Sequence, residues 1–166
     1  MVDFLFYQKN IWQEEILPRL DLKSILNLLS VCHFFYDNLC IIDLYQIDEK
    51  LRKKLNDTIL KQNKFINAKY LDASNNSEIT DVNHLKKLQK LDVRWNCGID
   101  QKGIQLLENL IELDAWDNPK ITNVNHLKKL QKLGAGMNCG IDQKGIKLLE
   151  NLIELDAWNN FKITGK

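Results

Sequence analysis

The chain has 166 residues, enough for one domain or two small ones sharing a boundary, and 45% of them are hydrophobic, enough for a sizeable core. Its 23 Lys+Arg are balanced by 22 Asp+Glu, a net charge of +1, so nothing in the charge favours nucleic acid or an acidic membrane as partner. No stretch approaches the ~20 apolar residues that span a bilayer, and the opening Met1–Asn10, with Asp3 and no long apolar core, does not read as a signal peptide.

Residues 4–45 show no repeat and no strand alternation, and read as helices. Pro18 is expected to end the first helix near Leu17. Asp21 and Ser24 offer caps for the next. Ile25, Leu26, Leu28, Leu29 and Val31 leave that helix little polar surface, so one face is expected to lie under something else. The run Leu20-Asp-Leu-Lys-Ser-Ile-Leu-Asn-Leu-Leu-Ser-Val-Cys-His-Phe-Phe35 resembles the middle of the F-box, which reads Leu-Asp-Leu-Lys-Ser-Leu-Leu-x-Leu-x-x-Val-Cys-(basic)-x-(aromatic). The family's opening Leu-Pro-x-Glu is not present; Phe6 to Ile11 stands in its place. An F-box docks on a Skp-family adaptor of a cullin ubiquitin ligase. The resemblance therefore implies an all-α N-terminal region in which Pro18, Leu20, Leu22, Ile25, Leu26 and Val31 fall in the docking stretch.

Residues 46–64 carry Ile47, Leu51, Leu55 and Ile59 four apart, one apolar stripe on a single helix that ends near Lys61. This helix is expected to pack its stripe on the segment that begins at Phe65 and to cap that segment.

From 65 to 166 the chain repeats itself. Residues 83–124 and 125–166 differ at nine positions and are identical at 33 of 42, which implies a recent duplication. The block divides again on Leu71, Leu91, Leu113, Leu133 and Leu155, spaced 20, 22, 20 and 22 residues apart. Each begins a phrase of the form Leu-x-(Ala/Val)-x-x-Asn, and four have a further leucine three residues upstream. The phrase resembles the leucine-rich repeat, which implies an α/β solenoid with one short parallel strand per turn and an inward-facing Asn in each bend. The repeat wording is also similar to that of repeat proteins of giant DNA viruses and protists. Four full turns and a fifth strand are expected, with no C-terminal capping repeat. Asp100 is the expected cap of a helical return segment over 101–110, and Thr80 that of the shorter segment over 81–88.

If the five leucines point inward, alternate residues point outward on the concave side. The outward columns are Tyr70, Lys90, Glu112, Lys132, Glu154; then Asp72, Asp92, Asp114, Gly134, Asp156; then Ser74, Arg94, Trp116, Gly136, Trp158. The first is a self-neutralising ladder. In the other two, Arg94 is expected to pair with the carboxylates or to lie on Trp116. A target-binding face is read here from Tyr70, Asp72, Asp92, Arg94, Asp114, Trp116, Asp156 and Trp158, suited to a polar or basic segment. The alternative is a solvated Asp ladder with the indoles packed over their neighbours.

No catalytic set stands out, and no cofactor is expected. The aspartate column lacks the rigid loop that a calcium site uses. His84 and His126 lie two rungs, about 10 Å, apart, too far to share one zinc. Cys32, Cys40, Cys97 and Cys139 form no CxxC pair; reduced thiols in cytoplasm or nucleus (a host's cytoplasm if the source is viral) are the expectation. The F-box resemblance joined to the repeats implies a substrate receptor that brings a target protein to a ligase. Two alternatives are an interaction module whose helices only cap the solenoid, and a truncated duplicate without a task.

Overall fold

The computed structural model describes residues 41–45, 47 and 49–164, together with Arg19 and Ser24. Pro18, Leu20, Leu22, Ile25, Leu26 and Val31, and with them the helices expected for docking, lie outside the described residues.

Six short strands form one parallel sheet in chain order: β1 (Asp43–Leu44), β2 (Tyr70–Asp72), β3 (Lys90–Asp92), β4 (Glu112–Asp114), β5 (Lys132–Gly134) and β6 (Glu154–Asp156). Leu71, Leu91, Leu113, Leu133 and Leu155 are the middle residues of β2 to β6 and stand in register across the sheet. Because a strand alternates its side chains, the middle leucine faces the core while its neighbours face outward. Leu71, Leu91, Leu113 and Leu133 are no more than 2% exposed, whereas Leu155, on the last strand, is 40% exposed. Each full burial contributes about 2 kcal/mol of transfer free energy, and one contiguous core runs from Ile41 to Ile146.

Two expectations for the first third are corrected. The helical reading of residues 4–45 fails at its end, where Leu44 pairs with Leu71 and is itself buried, so the sheet begins ahead of the repeats. The single helix expected over 46–64 is two short ones, α1 (Glu49–Arg52) and α2 (Asp57–Leu60). Asn56 divides them: its backbone is extended, and its side chain accepts the Ile59 N–H at 2.9 Å, which starts a new helix. The break turns Leu55 and Leu60 into the core, while Ile47 and Ile59 pack against it partly buried.

The return limbs explain the alternation of 22 and 20. Ile99 to Ile104 takes two residues more than Ile79 to Val82, and the excess folds as a 3₁₀ turn at Lys102–Ile104, copied at Lys144–Ile146. The helix expected over 101–110 is shortened to this turn. Asp100 caps it, its Oδ1 accepting the N–H groups of Lys102 at 2.8 Å and Gly103 at 3.1 Å. Thr80 is not a cap: its hydroxyl donates to Asp57 at 2.6 Å, and Asp81 accepts the Asn83 N–H instead at 3.0 Å. Neighbouring rungs approach closely at Gly98, where a Cβ would stand 2.4 Å from the Ser77 carbonyl oxygen.

The bends alternate too. Each contains one left-handed residue, Asn75, Trp95, Asp117, Met137 or Asn159, with φ between 52° and 59°. After β2, β4 and β6 the next residue, Asn76, Asn118 or Asn160, turns inward. Asn118 Nδ2 donates to the Val93 and Ile99 carbonyls at 2.8 and 3.3 Å, and its Oδ1 accepts the Lys120 N–H at 3.0 Å. After β3 and β5, however, Asn96 and Asn138 are exposed, and Cys97 and Cys139 take the buried place one residue on. The expectation of an inward Asn in every bend is thus corrected to alternating amide and thiol. A thiol satisfies few backbone groups, so a lysine reaches across: Lys120 Nζ donates to the Cys97 carbonyl at 2.7 Å and Lys162 Nζ to that of Cys139 at 2.6 Å.

Candidate interaction surface

The outward columns form in the expected register, but their residues differ in what they leave unsatisfied. In the first column Lys90 pairs with Glu112 at 2.8 Å and Lys132 pairs with Glu154, so charge closes two by two. Tyr70 heads the column half-buried. Lys90 Nζ also sits 4.2 Å from the Tyr45 ring centre, a contact that the repeat pattern could not foretell because Tyr45 precedes it.

In the second column Asp72 and Asp92 are buried rather than presented. Asp72 pairs with Arg52 and accepts the Ser74 N–H at 2.9 Å. Asp92 is gripped by Arg94, with Nη2 at 2.6 Å and Nε at 2.9 Å from Oδ2. Asp114 is half-buried, and Arg94 Nε lies 3.4 Å from it. Burial, and after it the charges of Asp92 and Asp156, outweigh the guanidinium and hold the Asp114 carboxyl above its ordinary range. Asp156 is exposed and has no ion pair among the described residues; its carboxylate accepts the Trp158 N–H, at 3.1 Å.

In the third column Ser74 is buried. Arg94 takes the carboxylate pairing and lies over Trp95 at 4.6 Å, not over Trp116. Trp116 is half-buried and Trp158 is 63% exposed. They belong to rungs separated by β5, yet their rings are parallel within 5° with centres 5.9 Å apart. Gly134 and Gly136 allow this approach, since a Cβ at Gly136 would stand 2.5 Å from Trp116 Cε2. An open depression of about 290 Å³ remains over Gly134, walled by Glu112, Asp114, Trp116, Lys132 and Asp156.

Of the eight residues read as a binding face, the structure therefore separates two groups. Asp72, Asp92 and Arg94 are joined in the chain's own ion pairs, with Tyr70 beside them. Asp114, Trp116, Asp156 and Trp158 gather around the glycine rung with capacity to spare. Gly134 and Gly136 look in the sequence like an interruption of the face; they shape its most open part. His84 and His126 serve the solenoid, with Nε2 3.0 Å from the Leu60 carbonyl oxygen for His84 and 3.1 Å from that of Ile104 for His126. Among the described residues no helix is long and apolar enough to cross a membrane.

One parallel strand per turn, inward leucines in register and amide- or thiol-bearing bends define a parallel-sheet solenoid that resembles the leucine-rich repeat. No protein-family model matches the chain, and no curated protein matches it. Among solved structures it is similar to the functional domain of InlJ from Listeria monocytogenes, which includes a cysteine ladder, with 18% identity and a TM-score of 0.28 over 69% of this chain and 38% of that one. It is also similar to an internalin, inlF, from Listeria monocytogenes, with 15% identity and a TM-score of 0.26 over 87% of this chain and 59% of that one. The chain spans less than two thirds of the length of either protein.

Proposed function

We propose that this chain is a protein-interaction module whose sheet face captures an extended, basic segment of a target protein, and that it performs no chemistry itself. The observation that carries the reading is the contrast along the face. At one end the carboxylates are matched by the chain's own arginines; at the other, the half-buried Trp116 and the exposed Trp158 stand beside Asp114 and an Asp156 with no ion pair among the described residues. Large apolar rings left in water forgo their burial energy unless a partner covers them, and tryptophan is among the commonest anchors of protein interfaces. Selection from a displayed peptide library tests it. Wild-type protein should enrich basic peptides that the Trp116→Ala, Trp158→Ala double variant fails to hold while its thermal melt stays cooperative. Equal enrichment by both proteins would remove this face from the reading.

In its fuller form the reading makes the chain the substrate receptor of a cullin-type ubiquitin ligase, working in cytoplasm or nucleus. Pro18, Leu20, Leu22, Ile25, Leu26 and Val31 would dock on a Skp-family adaptor, and the solenoid would hold the target. What supports it is the match of Leu20 to Phe35 with the F-box pattern. Co-purification with such an adaptor, lost on Leu22→Asp and Ile25→Asp, is the expected result. Absence of wild-type binding at micromolar concentration removes the ligase and leaves the interaction module.

A further inference from the structure

The duplication supplies an internal control. Residues 83–124 and 125–166 share 33 of 42 positions, yet four of the nine differences are consecutive, at the end of one strand and the bend after it: Asp92, Val93, Arg94 and Trp95 in the first block correspond to Gly134, Ala135, Gly136 and Met137 in the second. In the first block a guanidinium lies between carboxylates, bonded to Asp92 and 3.4 Å from Asp114, with its plane over an indole. In the second block the rung's own aspartate and arginine are both gone. The rung's own indole is gone as well, Trp95 being Met137, but the flanking carboxylates, Asp114 and Asp156, remain, and Trp116 of the neighbouring rung walls the depression. Lys132, the cation on the rim, is engaged by Glu154. The column is one guanidinium short: Arg52 answers Asp72 and Arg94 answers Asp92, while Asp156 has no counter-ion among the described residues.

We infer that the depression over Gly134 receives an arginine side chain of the target segment, which supplies from outside what Arg94 supplies from within two rungs earlier. The inference rests on the interaction-module reading and names the residue that module would recognise. A guanidinium fits better than an ammonium, because it is planar, donates in a fork to carboxylates and stacks on indole faces. The missing Cβ at Gly134 lets the Asp114 carboxylate lie against the rung, where a Cβ would stand 2.6 Å from its Oδ1, so the carboxylate borders the open depression.

The probe is N-acetyl-L-arginine amide, titrated into the full chain at low ionic strength while the indole N–H resonances are followed by NMR. The neutral isostere N-acetyl-L-citrulline amide is the control. Arginine should shift the Trp116 and Trp158 signals saturably, with citrulline at least about tenfold weaker. A weakening of about the same size is expected for Asp156→Asn, which removes the exposed carboxylate and leaves the glycine rung and Trp116 in place. Equal shifts by arginine and citrulline, no saturable shift, or unchanged affinity in the variant each overturn the arginine site. The two readings fail separately: displayed peptides that require Trp116 and Trp158 but hold no arginine leave the interaction module standing and remove this site alone.

Discussion

Replacing Asn118 with alanine orphans three backbone groups at once. Its amide donates to the Val93 and Ile99 carbonyls, and its oxygen accepts the Lys120 N–H. Asn118 is fully buried, so water does not reach the two carbonyls without local opening. A buried polar group left unpaired costs about 1–3 kcal/mol, and with two such carbonyls dominating, Asn118→Ala should cost about 3 kcal/mol. Asn160 makes the same bonds, to the Ala135 and Ile141 carbonyls at 2.7 and 3.1 Å, but beside the partly exposed Leu155. Water can enter there, and Asn160→Ala should cost about 1 kcal/mol. Asn118→Asp keeps the shape and aims an oxygen at two carbonyl oxygens, an uncompensated buried charge worth about 3–5 kcal/mol at neutral pH. Such an acid has a folded-state pKa above its unfolded one. The damage is therefore full above the folded value and fades as pH falls through it, so the variant should recover part of its stability near about pH 4. Urea unfolding followed by circular dichroism gives the totals, and amide hydrogen exchange shows whether the later rungs open first, as a solenoid with nearest-neighbour coupling allows. Equal costs for Asn118→Ala and Asn160→Ala, or a cost below about 1 kcal/mol for the former, would refute the account of the bends.

Met137 holds a left-handed φ of 59° where Asn75, Asp117 and Asn159 stand in other bends; Met137→Asn should add about 1 kcal/mol of stability in a denaturant titration, and a loss would show that the backbone there is not strained. Gly98→Ala should cost about 1–3 kcal/mol, because its Cβ meets backbone oxygens of the preceding rung that cannot move aside; a neutral result would contradict that close approach. The Cys97 thiol is pushed up to about 11 by burial, so iodoacetamide at about pH 8 should leave it unmodified in the folded chain and alkylate it in urea, with mass spectrometry of the Cys97 peptide as readout; rapid native labelling would contradict its burial.

The leucine register, the strand positions and the Lys–Glu column were legible because a strand's period of two converts spacing directly into facing. What escaped was whatever spacing does not decide, or what depends on a distant partner. Asn96 and Cys97 are adjacent, and the bend from Leu91 to Ile99 has the same length as that from Leu71 to Ile79, so spacing does not say which of the two turns inward. Asn56 reads as one polar residue on an apolar stripe, but its side chain starts a second helix. Asp72 looks like the first of an outward carboxylate series until Arg52, twenty residues earlier, is brought against it. β1 is two residues long and belongs to no repeat, so no periodicity announces it. Lys120 and Lys162 did leave a signal, the same basic residue in both blocks, although its role as donor to a carbonyl appears only in three dimensions.

The alternation along the sheet also limits how such a gene can lengthen. Copying one turn would set lysine beside lysine or glutamate beside glutamate on neighbouring strands, and would place two thiol bends, or two amide bends, in succession. Copying two turns together preserves both sequences of neighbours. Unequal recombination in a 42-residue unit is thus the step that the protein tolerates, and the near-identity of 83–124 with 125–166 is the trace that such a step leaves.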